Sequence, residues 1–204
     1  MKFKYREVII KSKKYIVYEP IDIPKQLRGL YSSNDVSCIL ANAIGYKFLK
    51  ELFLIVGSNK EDNSVYLVFD SSREVEEFHE WFPQAELHKN MVLCNYSRTK
   101  MSVKALKKIL EMRKYIKVRE IELYVPAYNY DKIRYWSLDN VLSVKNYSKW
   151  IMLSSNYEGF CYMSREADNF TNMEDDPEEY FAHTHLFHLT KYEDKLDFRH
   201  YYQS

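Results

Sequence analysis

"SVYLVFDSSREVEEFHEWF" (residues 64–82) decides how the rest of this 204-residue chain is read. Its first residues are β-branched and aromatic, as a strand requires. The remainder opens with a capping box, Ser71 followed three residues later by Glu74, ahead of apolar residues at helical spacing. The next strand lies within "AELHKNMVLCNYS" (85–97), centred on Met91 to Cys94. A second helix starts at about Ser102, and "REIELYVPA" (119–127) supplies a third strand that Pro126 ends. Strand, helix, strand, helix, strand predicts an α/β or α+β domain built on a mixed, partly parallel sheet with covering helices.

Residues 2–19, two β-rich runs split by the polar "KSKK", predict an N-terminal β-hairpin. Asn34 or Asp35 is suited to cap a helix over "VSCILANAIGYKFLKEL" (36–52), and the continuous apolar "LFLIV" (52–56) then reads as a strand. Beyond Pro126 the pattern becomes short and aromatic. "IRYWSL" (133–138), "KWIMLSS" (149–155) and "GFCYMS" (159–164) read as strands, with "NYEG" (156–159) a hairpin loop between the last two. An acidic loop, "EADNFTNMEDDPEE" (166–179), precedes a further strand in "YFAHTHLFHL" (180–189). The whole of 1–204 is taken as one domain, subdivided into an α/β core over 1–130 and an antiparallel C-terminal extension over 131–204.

Composition narrows the function. Hydrophobic residues at 46% and charged residues at 29% are globular values, which argues against wholesale disorder. Four glycines leave little material for a Gly-rich phosphate loop. Cys38, Cys94 and Cys161 are odd in number and lack a C-x-x-C spacing, so buried thiols are expected instead of a disulfide framework or a zinc ribbon. The 19 tyrosines, with abundant Lys, Asn and Ile, fit an A/T-rich coding sequence such as that of a phage, a virus or an A/T-rich bacterium. The N-terminus alternates charge with apolar side chains, and the apolar run "LFLIVG" falls far short of the ~20 residues that span a membrane. A soluble, cytoplasmic protein is the expectation.

The strongest functional signal is "SVKALKKILEMRKYIK" (102–117), with five lysines and one arginine against the single acid Glu111. Residues 98–119 together carry nine cations and that one acid, a net +8 in a chain whose total is +1. At 100° per residue, Ala105, Leu106, Ile109, Leu110, Met112 and Ile116 share one half of the helix, and Lys104, Lys107, Lys108 and Lys114 take the other. Lys104 and Lys108 repel at i,i+4, and Lys104 sits near the positive end of the helix dipole, so the helix gains little from its own charge pattern. Compensation comes from outside it. One source is the chain itself, because 166–179 carries seven acids without a base and 60–86 carries eight acids against two bases. The other is an acidic macromolecule held by Lys104, Lys107, Lys108, Arg113, Lys114 and Lys117. Nucleic acid stands ahead of an acidic protein, because clustered cations that release condensed counterions are its electrostatic footprint. Tyr115, Tyr124, Tyr128 and Tyr130 could supply stacking surfaces.

Three other constellations carry chemistry. His183, His185 and His188 in "HTHLFH", with the acids Asp175, Asp176, Glu178 and Glu179 upstream, have the donor types of a divalent metal site. "LVFDSS", ending in Asp70, Ser71 and Ser72, puts a carboxylate and hydroxyls at the end of a strand; it resembles the first motif of haloacid-dehalogenase-type phosphatases, and "VLCNYS" the second. Ser72 stands where that family carries its second aspartate, and a helix cap explains the same residues. Glu120-Ile121-Glu122 is similar to the paired glutamates of ADP-ribosyltransferases, with Arg28 as that family's early arginine. An enzyme acting on a nucleotide or phosphate ester through Asp70 or the three histidines is therefore the alternative to a binding protein. A phage or mobile-element inhibitor that grips a host factor with its aromatic C-terminal strands is the third reading.

Overall fold

The computed structural model describes residues 1–31, 36–70, 86–133, 138–171, 183–186, 189 and 196–200. The expected N-terminal hairpin is formed by β1 (Lys2–Ile10) and β2 (Lys13–Pro20), in register Val8 to Tyr15. Then come β3 (Arg28–Tyr31), β4 (Ser37–Ala41), α1 (Ala43–Ser58), β5 (Ser64–Val68), β6 (Glu86–Asn95), α2 (Val103–Met112) and β7 (Arg119–Glu122). The last third adds β8 (Leu142–Tyr147), β9 (Trp150–Ser155), α3 (Tyr157–Asn169), β10 (His183–His185) and β11 (Leu196–His200). Among the described residues these eleven strands form one mixed sheet, ordered β10-β11-β4-β3-β6-β5-β2-β1-β7, with β9 also paired to β6 and β8 to β9.

Partial parallelism is present, but not where the middle third suggested it. β5 and β6 run antiparallel; the parallel pairs are β2 with β5, β4 with β11 and β6 with β9. The ten-residue β6 is the branch point, pairing with β3 near its start and with β5 and β9 further on. β3 approaches β6 so closely that a Cβ on Gly29 would lie 2.4 Å from the Lys89 carbonyl oxygen, so only glycine fits there.

Side chains alternate across the sheet and separate two cores. On β2, Ile16 and Tyr18 join a large cluster with Tyr46, Leu49 and Phe53 of α1 and Phe160 and Met163 of α3. Tyr15 and Val17 face the other way, into a smaller cluster with Val8, Val65, Leu67, Val92, Trp150 and Met152, which Leu106 and Ile109 of α2 cover. Two helices therefore cover one face of the sheet and, among the described residues, one helix covers the other.

Three expected stretches change type. Residues 37–41 form a strand, not the start of a helix; all five are buried between β3 and β11. The helix starts at Ala43, capped by Asn42, whose Oδ1 accepts from Gly45 N at 3.1 Å, and it absorbs the predicted strand "LFLIV". "GFCYMS" is likewise helical, within α3, and "NYEG" is its N-cap, Asn156 Oδ1 accepting from Gly159 N at 2.8 Å. In both cases burial on nearly every side removes the polar stripe by which helical periodicity is recognised. The first residues of the predicted acidic loop, 166–169, also belong to α3. The predicted helix over 71–82 and most of "IRYWSL" lie outside the described residues. Cys38, Cys94 and Cys161 are free and buried, as expected. No described helix is long and apolar enough to cross a membrane.

Candidate nucleic-acid interface

α2 begins where predicted, with the Ser102 hydroxyl accepting from Ala105 N at 3.1 Å. Leu106 and Ile109 are fully buried, and Val103, Ala105 and Leu110 half-buried against the same cluster. The helix is shorter than 102–117, however. It ends at Met112, a 3-10 turn occupies Arg113–Tyr115, and Ile116 is extended. Tertiary structure sets that end. Ile116 packs on the small core, and Arg119 must reach its partner Tyr5 on β1 three residues later. Met112, expected in the core, is 37% exposed.

Lys104, Lys107, Lys114 and Lys117 are exposed and Lys108 is half-buried. Among the described residues none of the five has an ion-pair partner. Lys107 leans over the Tyr147 ring of β8, its Nζ 5.1 Å from the centroid. Lys145 is exposed on the same strand, two residues before Tyr147 and so on the same face. At one end of the basic segment Arg98 pairs with Asp62 at 3.5 Å, a loose and exposed contact. Of the acidic stretch 166–179, Asp168 pairs with Lys50 of α1 at 2.6 Å, and Glu166 accepts from Thr184 at 3.3 Å. Both sit among the elements on the two-helix side. Residues 172–179 and 71–85 lie outside the described residues.

Arg113 differs from the lysines. Its Nη1 and that of Arg6 both donate to Glu19 Oε1 at 2.7 Å, and its guanidinium lies 4.5 Å from the Phe69 ring centroid. Arg113 therefore pins the end of α2 to Glu19 on β2 and to Phe69 just beyond β5. Two guanidiniums on one carboxylate leave a net charge of +1 in a largely buried cluster, and neither Arg6 Nε nor Arg113 Nε has a hydrogen-bond partner. The sequence held no signal for this triad beyond the i,i+2 position of Arg6 and Val8 on a strand; cross-strand register creates it.

The other candidate sites fall only partly within the described residues. Asp70 N donates to Asn90 Oδ1 at 2.9 Å midway along β6, whereas Ser97 follows the end of β6. Antiparallel pairing of β5 with β6 thus puts the two phosphatase-like motifs at opposite ends of the sheet; Ser71 and Ser72 lie outside the described residues. Arg28 on β3 and Glu120 and Glu122 on β7 are separated in the strand order by β6, β5, β2 and β1. His183 and His185 are i,i+2 on β10, and His188 lies outside the described residues. Among the described residues no three His, Cys, Asp or Glu side chains converge as metal ligands. A cavity of about 490 Å³ opens between the end of α1 and the start of α3. Its asparagines are engaged structurally: Asn156 caps α3, Asn95 donates to Gly57 O and Asn59 to Tyr66 Oη. Comparison with protein families, with curated proteins and with solved structures yields no match to this chain.

Proposed function

We propose that this protein binds an acidic macromolecule, nucleic acid ahead of protein, through the cationic face of α2 and the turn that follows it. One observation carries the reading: Lys104 and Lys107 on α2, and Lys114 and Lys117 in the segment that follows, are exposed while Leu106, Ile109 and Ile116 turn to the core, with no carboxylate paired to these lysines among the described residues. A row of like charges of this kind repels itself by a few tenths of a kcal/mol per i,i+4 pair, and an anionic partner relieves it. Phosphates answer that geometry well, because each contact also releases condensed counterions.

The test is binding of mixed-sequence oligonucleotides by fluorescence anisotropy, with Lys104→Glu, Lys107→Glu and Lys114→Glu combined in one variant. Lys114 is chosen over the half-buried Lys108 so that the fold is left alone. Loss of binding with an unchanged melting curve supports the proposal, and unchanged affinity in the variant contradicts it. Retention of a lysate partner after nuclease digestion, lost in the same variant, would transfer the surface to an acidic protein.

A further inference from the structure

The inference rests on the nucleic-acid reading of the same surface and deepens it. We infer that the ligand is single-stranded, with one base stacked on the Tyr115 ring and the adjoining phosphate held at the cavity beside Lys117 and Arg119. Tyr115 is 88% exposed, between Lys114 and Lys117. Tyr124 is as exposed, but it follows Glu120 and Glu122, whose charge repels a phosphate backbone. Tyr128 and Tyr130 pack against each other at 5.5 Å, and the Tyr130 hydroxyl is hydrogen-bonded to Ser164 at 2.9 Å. Of the four tyrosines, only Tyr115 is both bare and set among cations. An aromatic face in that setting matches an unpaired base; a continuous duplex keeps its base faces covered by their own neighbours.

The cavity supplies a second, independent observation. It holds about 170 Å³ and is lined by Tyr5, Arg6, Glu7, Ile116, Lys117 and Arg119. Its single carboxylate, Glu7, already accepts from the Tyr5 hydroxyl at 2.7 Å and pairs with Lys14 at 3.5 Å. Arg6 is 9% exposed, belongs to the triad with excess positive charge, and its Nε lacks a partner. A largely buried cationic cluster with an unsatisfied donor is favoured by an anion from outside. Tyr115 and Lys117 are two residues apart, at most about 7 Å along the chain, which one nucleotide spans.

The experiment measures anisotropy with one 12-nucleotide sequence, as a single strand and as a duplex, at several salt concentrations. The single strand is expected to bind more tightly. Tyr115→Ala should weaken the single strand about tenfold and leave the duplex unchanged, and Tyr115→Phe should keep the wild-type affinity. Lys117→Gln should make the log–log salt slope for the single strand shallower by about 0.7. Duplex binding as tight as the single strand, with Tyr115→Ala inert, overturns this inference and leaves the nucleic-acid reading standing. An unchanged slope in Lys117→Gln overturns the phosphate position. Binding of neither form overturns both.

Discussion

The two faces of the sheet are built on opposite principles. α1 and α3 are buried along almost their whole circumference, each by the sheet and by the other, so that Phe53 and Phe160 lie 6.2 Å apart at full burial. α2 is half core and half lysine, and among the described residues no carboxylate pairs with its lysines. Charge follows the same division. On the two-helix face Lys50 and Asp168 neutralise each other, whereas on the one-helix face Glu19 is bound by two arginines and, among the described residues, five lysines have no paired acid. One face has the character of an interior and the other that of a charged surface.

The largest effect expected on this contrast comes from Glu19→Ala. It strands Arg6 and Arg113 together under α2, and breaking a buried ion pair on one side costs about 3–5 kcal/mol. Urea melts should show the loss, and a cost below about 1 kcal/mol would mean that the triad does not hold α2 to the sheet. Next in size are Phe160→Ala, at about 4 kcal/mol, and Leu106→Ala, at about 3 kcal/mol. Equal cooperativity in both melts would show the two faces unfolding together; a separate early transition in Leu106→Ala would make the one-helix face an independent layer.

A pH effect comes third. Burial pushes the Cys161 thiol on α3 up from 9.0 to about 11, and the Cys38 thiol up to about 12. The folded protein keeps protons that the unfolded chain releases above pH 9, so this stability is complete below pH 9 and is lost as pH rises towards 11 and 12. Denaturation midpoints should accordingly be flat from pH 7 to 9 and fall beyond it, with native thiols resisting alkylation at pH 9. Rapid alkylation at that pH would contradict the burial. The smallest effect belongs to the lysines: substituting Lys104, Lys107 and Lys114 should each change stability by less than about 0.5 kcal/mol, whatever it does to binding.

Legibility in the sequence followed the same division. α2 was readable because one side of it meets water, so Leu106 and Ile109 alternate with Lys104, Lys107 and Lys108 at helical period. α1 and α3 were misread in part because a helix buried all round presents a continuous apolar run, which period alone does not separate from a strand. A signal was nonetheless present in "NAIG" (42–45) and "NYEG" (156–159), where an asparagine three residues before a glycine caps each helix in the same way. Pairing partners were invisible, because β4 finds β11 from the far end of the chain and β6 finds β9 across more than fifty residues. For the candidate site, the exposed lysines were legible from the helical wheel. The inward turn of Arg113 and the bare ring of Tyr115 were not, since both depend on α2 ending at Met112.

Amide hydrogen exchange, recorded with and without a saturating single-stranded oligonucleotide, tests most directly whether the lysine side of α2 is where a ligand docks. Added protection is expected to be confined to residues 102–119 and the adjoining part of β1. Protection concentrated on α1 and α3, or none at all under conditions of demonstrated binding, would contradict it.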